Sequence, residues 1–230
     1  MADPERVEAV RVELDRLGAR HYLDVRATAR RMLERMGPLE RTAFAAAAAD
    51  RVLREDERLP PRERPAYLAD WRPALDAVWQ VLAGENAAIR QVATAVARCY
   101  LGPVFHTRRY DDPTDAVGNA VMASLYAAEC ALHGCVDFAA WAGWRSFDAA
   151  TLQAAADPMW PHRRPAEVSL YAWELAHPAV QAELDHQLAD LELLGVDGPA
   201  LGETRAERES LLTRLRTGDV AVDAAAPAET

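Results

Sequence analysis

Apolar residues recur along the chain at spacings of three and four, the period of a helix face rather than of a strand. Val7, Val10, Leu14 and Leu17 form the first such run, and Gly18 breaks it. A second helix is predicted over 22–36, with Val25, Ala29, Met32, Leu33 and Met36 inward and a stop at Gly37-Pro38. A third covers about 39–57, carrying Phe44, an alanine run and Val52-Leu53. Prolines 60, 61 and 65 make the next stretch a loop. Helices follow at about 66–83, where Pro73 should kink the helix or mark its true start, and at 85–100. Residues 101–113 read as a loop.

Asp112-Pro113-Thr114 then reads as a helix start, and Val117, Val121, Leu125, Ala128 and Leu132 form one face ending at Gly134. The segment 136–150 carries Trp141, Trp144 and Phe147 at i, i+3 and i+6, a spacing that predicts a core stripe. A proline-rich loop over 157–165 leads to a helix at 166–176. Pro178 restarts the chain at a helix N1 position, and Val180, Leu184, Leu188, Leu191 and Leu194 follow. A last amphipathic helix is predicted over 203–216. No segment longer than four residues alternates with period two, so the fold class is all-α: a compact single-domain bundle of seven to nine helices. The expected organisation is an N-terminal helical extension over 1–20, a helical domain over 21–217 and a disordered acidic tail over 218–230. The core should contain Trp79, Leu125, Trp141, Trp144, Leu184 and Leu188.

Composition narrows the function classes. The 230 residues are 50% hydrophobic, enough to bury a core. A net charge of −10 argues against nucleic-acid binding, which needs a basic footprint. No stretch approaches the ~20 apolar residues of a membrane span, and the charged N-terminus lacks a secretory h-region, so the expected compartment is the cytoplasm. All 26 basic side chains are arginine, which excludes Schiff-base and P-loop lysine chemistry. Three cysteines cannot form a disulfide scaffold; Cys99 and Cys130 read as small buried hydrophobes, and Cys135 has no second pair to complete a zinc site.

Three segments carry a family resemblance. They are LERMGPLERTAFAAAAADRVL (33–53), RPALDAVWQVL (72–82) and HPAVQAELDHQLADLELL (177–194). They resemble, in order, the Leu-Glu-Arg-Leu opening, the Arg-x-x-Leu-Asp-x-x-Trp-x-x-Leu helix and the Asn-Pro-Ala-Val-x-x-Glu-x-x-x-Gln helix of the YjaG-like family, a bacterial helical family of unknown function. Pro73 and His177 depart from its pattern, and the resemblance spans about residues 30–195. It implies an all-α single domain and no catalytic residues.

The sharpest chemical pattern is a pair of Glu-x-x-His motifs, Glu174/His177 and Glu183/His186, as found in di-metal carboxylate bundles. Helical geometry opposes it: His177 precedes a helix-starting proline, while Glu183 and His186 fall about 100° and 160° from Leu184, so His186 should face solvent. Glu129 lies about 40° from Leu125 and should be partly buried, paired with an arginine; His133 follows four residues on. These six residues are the metal-site candidates of an alternative reading, a small di-metal enzyme.

Charge divides unevenly. Residues 1–110 hold 19 Arg and 16 acids, whereas 111–230 hold 7 Arg and 20 acids. The expected function is therefore a non-enzymatic interaction module, immunity-type or accessory, offering an acidic helical surface to a basic protein partner. No catalytic residue, cofactor, nucleic acid or membrane enters this reading, and self-association is compatible with it.

Overall fold

A computed structural model of the chain describes residues 4–102, 115–195, 201 and 204–218. The tail over 219–230, the Asp112-Pro113-Thr114 start and most of the 101–113 loop lie outside the described residues. Among the described residues the regular structure is entirely helical: α1 (Pro4–Arg16), α2 (Tyr22–Arg35), α3 (Pro38–Glu57), α4 (Leu68–Leu82), α5 (Ile89–Leu101), α6 (Ala116–His133), α7 (Val136–Ala156), α8 (Leu170–Leu175), α9 (Pro178–Leu194) and α10 (Arg205–Thr217), with 3₁₀ turns at Asn86–Ala88 and Pro161–Arg163.

The axis of the bundle is α3. Residues 42–50 are all buried, and α4, α6, α7, α9 and α10 surround them. The alanines over 45–49 explain how one helix accepts neighbours on every side: Ala favours helix and lets backbones approach closely. The opposing face of α7 is equally small, with Ala139, Ala142, Gly143 and Ser146 buried. A Cβ at Gly143 would come within 3.2 Å of the Phe44 ring, so this glycine serves a close helix approach. Gly134 ends α6 in the left-handed region (φ 63°), and a Cβ there would also meet Pro38 at 2.7 Å.

A second, smaller apolar cluster joins Val10 and Leu14 of α1 to Val25, Val168, Ala172, Leu175, Val180 and Leu184. Glu13 of α1 accepts hydrogen bonds from the Ser169 hydroxyl at 2.5 Å and the Ser169 amide at 3.1 Å, and Ser169 in turn caps α8.

Several boundaries differ from the expected ones. Pro73 neither starts nor ends α4, which begins at Leu68; the proline lies on its exposed side. Helix α7 runs six residues further, to Ala156, and α8 is only six residues long because its cap lies at Ser169. Thr204 and Glu207 form a reciprocal capping box at the start of α10.

Candidate functional site

Helix α9 buries two stripes. One is apolar: Val180, Leu184 and Leu191. The other is Glu183, Gln187, Asp190 and Leu194, at i, i+4, i+7 and i+11, also buried. A wheel centred on Leu184 leaves the second stripe outside, because it counts only apolar faces. Arg51 of α3 neutralises it, with Nε 2.9 Å from Glu183 Oε2 and Nη1 2.5 Å from Asp190 Oδ2. Burial raises the Glu183 carboxyl, but the Arg51 charge and hydrogen bonds from Arg51, Ser146 and Gln187 outweigh it and hold Glu183 below its ordinary value. Asp190 has fewer compensating bonds, so burial leaves it above its ordinary value despite Arg51. A parallel cluster joins Asp50 to Arg54 and Arg72, and Arg72 to Glu57 at 2.6 Å.

Gln187 connects this stripe to open space. Its Nε2 donates to Gly143 O at 2.8 Å and to Glu183 Oε1 at 2.9 Å. Two acceptors on one side fix the amide orientation: nitrogen faces them and oxygen faces away. Among the described residues nothing donates to Gln187 Oε1, which is open to the cleft rather than sealed in the interior.

Trp141, expected in the core, is 37% exposed, while Trp144 and Leu188 are partly buried. Trp79, Leu125 and Leu184 are buried as expected. The small inner face of α7 presses so closely on α3 that its aromatic rings are displaced to the shoulders. Trp141 packs on Tyr126 and Phe138, Phe147 stacks on Tyr22 at 5.0 Å, and Trp144 lies beneath the Arg26 guanidinium.

Two clefts open between these shoulders. The larger, about 480 Å³, lies among α2, α7, α8 and α9, walled by Tyr22, Trp144, Phe147, Leu175 and Leu184, with Gly143 and Gln187 also lining it. Arg26, Asp148, Glu174 and Tyr171 add polar groups to it. Burial pushes Asp148 above the usual carboxylate range, against the opposing charges of Arg145 and Arg26. The second cleft, about 340 Å³, shares Arg26, Trp144 and Gln187 with the first. Beyond the first cleft, Trp160 and Trp173 stack at 4.2 Å, each indole donating to the other residue's carbonyl.

The metal-site candidates are dispersed. Glu129 is buried, and among the described residues its partners are His133 Nε2 at 3.2 Å and the Tyr100 hydroxyl rather than an arginine. Burial and then this carboxylate push the Tyr100 hydroxyl up to about 12. His133 itself is exposed. Glu174 is exposed beside the first cleft, whereas His177 caps α9, its Nδ1 accepting from the Ala179 amide at 3.1 Å. Glu183 belongs to Arg51, and His186 is half-buried instead of solvent-facing because the end of α10 lies across the same hollow. Among the described residues no three His, Cys, Asp or Glu side chains converge on a metal position. Burial pushes the Cys99 and Cys130 thiols up to about 11, far from thiolate reactivity.

The uneven charge has an internal use. Arg20–Asp185, Arg30–Asp137, Arg51–Glu183 and Arg51–Asp190 each join the arginine-rich N-terminal half to the acidic C-terminal half. Sequence reasoning missed Gln187 and the buried polar stripe. Their signal was Arg51, a cation two residues beyond the alanine run, facing an acidic helix elsewhere in the chain. Compared with protein-family models, curated proteins and solved structures, the chain matches none.

Proposed function

We propose that the chain is a non-enzymatic interaction module that holds a protein partner through the α2–α7–α8–α9 cleft. The observation that carries this reading is the cleft itself: aromatic walls, a volume of about 480 Å³, and the exposed apolar residues Leu170 and Tyr171 on α8 beside it. Such a hollow with an apolar rim suits a side-chain anchor and its flanking contacts. An acidic surface is the weaker form of the same proposal, because many C-terminal acids are already paired within the chain. An immunity-type or accessory role in the cytoplasm fits three free cysteines and the absence, among the described residues, of any helix long and apolar enough to cross a membrane. The YjaG-like resemblance belongs to this proposal as its family assignment.

A photo-crosslinker at Tyr171, with expression in the source cell, tests the reading. One discrete adduct should form and should vanish when Thr151→Trp fills the cleft. An adduct pattern indifferent to Thr151→Trp counts against the cleft. One to two equivalents of tightly bound iron, manganese or zinc in purified protein would replace this reading with the di-metal enzyme.

A further inference from the structure

A further hollow, of about 380 Å³, lies among α3, α7, α9 and the end of α10. It has no phenyl or indole wall; apart from Val52 and several alanines its lining is polar. Arg54 is the anomaly there. Its Nε is held by Asp50 at 3.0 Å, while its Nη2 is shut off from solvent and has no hydrogen-bond partner. A buried donor without an acceptor has lost its hydration and regained nothing, and the loss is greatest for a charged donor. The Arg54 side chain is still 28% exposed, so the guanidinium belongs to the wall of the hollow, and a small turn of its end group presents the unpaired nitrogen to whatever enters.

The other two arginines of the hollow are matched. Arg51 is held by Glu183 and Asp190, and Arg58 pairs with Glu55. Arg54 has Asp50, which also serves Arg72. Burial lowers the Arg54 guanidinium from its ordinary value; Asp50 opposes that shift, and Arg51, Arg72 and Arg58 add to it. An anion beside Arg54 would relieve the repulsion and supply the missing acceptor together. The chain's net charge of −10 does not forbid this, because exposed charges are screened beyond about 8–10 Å at ordinary ionic strength.

The donors stand on separate walls: Arg54 on α3 and Arg58 just past its end, Gln153 on α7 and His186 on α9. Because Arg54 Nε is committed to Asp50, the Nε–Nη2 edge that would grip a carboxylate in two parallel bonds is not free. Donors from three helices suit a tetrahedral oxyanion, which offers an oxygen to each. We infer that this hollow binds a phosphate group, with Arg54 as its main cation and Arg58, Gln153 and His186 as flanking donors. The group is inorganic phosphate or the phosphate of a small hydroxylated molecule, since the walls give a nucleobase no ring to stack on. None of these residues lines the α2–α7–α8–α9 cleft, so the site is independent of the interaction-module reading.

Calorimetric titration of the full chain with inorganic phosphate, glycerol 3-phosphate and acetate, at constant ionic strength, tests the inference. Phosphate should bind saturably with one equivalent per chain, and acetate about tenfold more weakly or not at all. Tighter binding of glycerol 3-phosphate than of phosphate supports the site and names an organic phosphate as its ligand; the reverse order supports it and names the free ion. Arg54→Gln should weaken phosphate about tenfold. Ala182→Glu should abolish binding, because it places a carboxylate in the hollow from an exposed position. If Arg54→Gln does not fold, Ala182→Glu still decides. No saturable phosphate binding at millimolar concentration, acetate equal to phosphate, or phosphate binding indifferent to Ala182→Glu overturns the assignment and leaves the crosslinking result untouched.

Discussion

Towards α3, α7 presents Ala139, Ala142, Gly143 and Ser146; towards α2 it presents Trp144 and Phe147. The first side packs closely at Gly143, where a methyl would press on the Phe44 ring. The second leaves hollows of about 480 and 340 Å³. Large rings make the open side and small residues the closed one, the reverse of what side-chain volume alone would give. Small faces allow the backbones to meet, and that approach forces bulky neighbours on the same helix outward, where they bridge to α2 and α6 without filling the corners. The closed side is a scaffold with little tolerance, while the open side has room to change.

Breaking the buried charge at the boundary between these regions should have the largest effect. Arg51→Met leaves Glu183 and Asp190 buried without their cation, and should cost about 3–5 kcal/mol in denaturant unfolding. Adding Glu183→Gln and Asp190→Asn should recover much of that loss; no recovery would mean that Arg51 acts through packing alone.

Leu184→Ala should destabilise by about 2–5 kcal/mol, nearer the lower value because the residue borders a cleft that can adjust. A loss under about half a kcal/mol would place α9 outside the cooperative core.

Paired enlargements sharpen the contrast. Ala47→Val, inside the ring of helices around α3, should cost about 1–3 kcal/mol by overpacking. Thr151→Leu, on the cleft shoulder of the same bundle, should change stability by less than about 0.5 kcal/mol. Similar costs at both positions would remove the distinction between closed and open sides.

The smallest effect is a pH dependence. The folded Glu183 carboxyl sits below its ordinary value, so its contribution is complete above that value and is lost as the pH falls through the folded one. Asp190 has the opposite sign: its folded value is raised, so it favours the folded state on the acid side and that advantage fades as pH rises through the folded value. Glu183→Gln should therefore flatten the acid limb of the stability profile, and Asp190→Asn should not. An unchanged acid limb in Glu183→Gln would show that Arg51 does not hold that carboxylate ionised.

What the linear chain determined was the succession of helices. Gly37-Pro38, Gly134 and His177-Pro178 end or start helices through local backbone restrictions that need no tertiary partner. Burial of Leu125 and Leu184 was also legible, since each sits in an apolar stripe of helical period. Tertiary structure alone decided which faces are double. Helix α9 looks like a surface helix with one apolar stripe until Arg51, more than a hundred residues earlier, turns Glu183 and Asp190 into interior residues. Trp141 looks like core until the alanine face of α7 meets that of α3 and rotates the rings to the shoulders. The candidate site is a product of those two events. Gln187 is buried by the first and the cleft above it is opened by the second, and periodicity carries neither because both depend on contacts between helices distant in sequence.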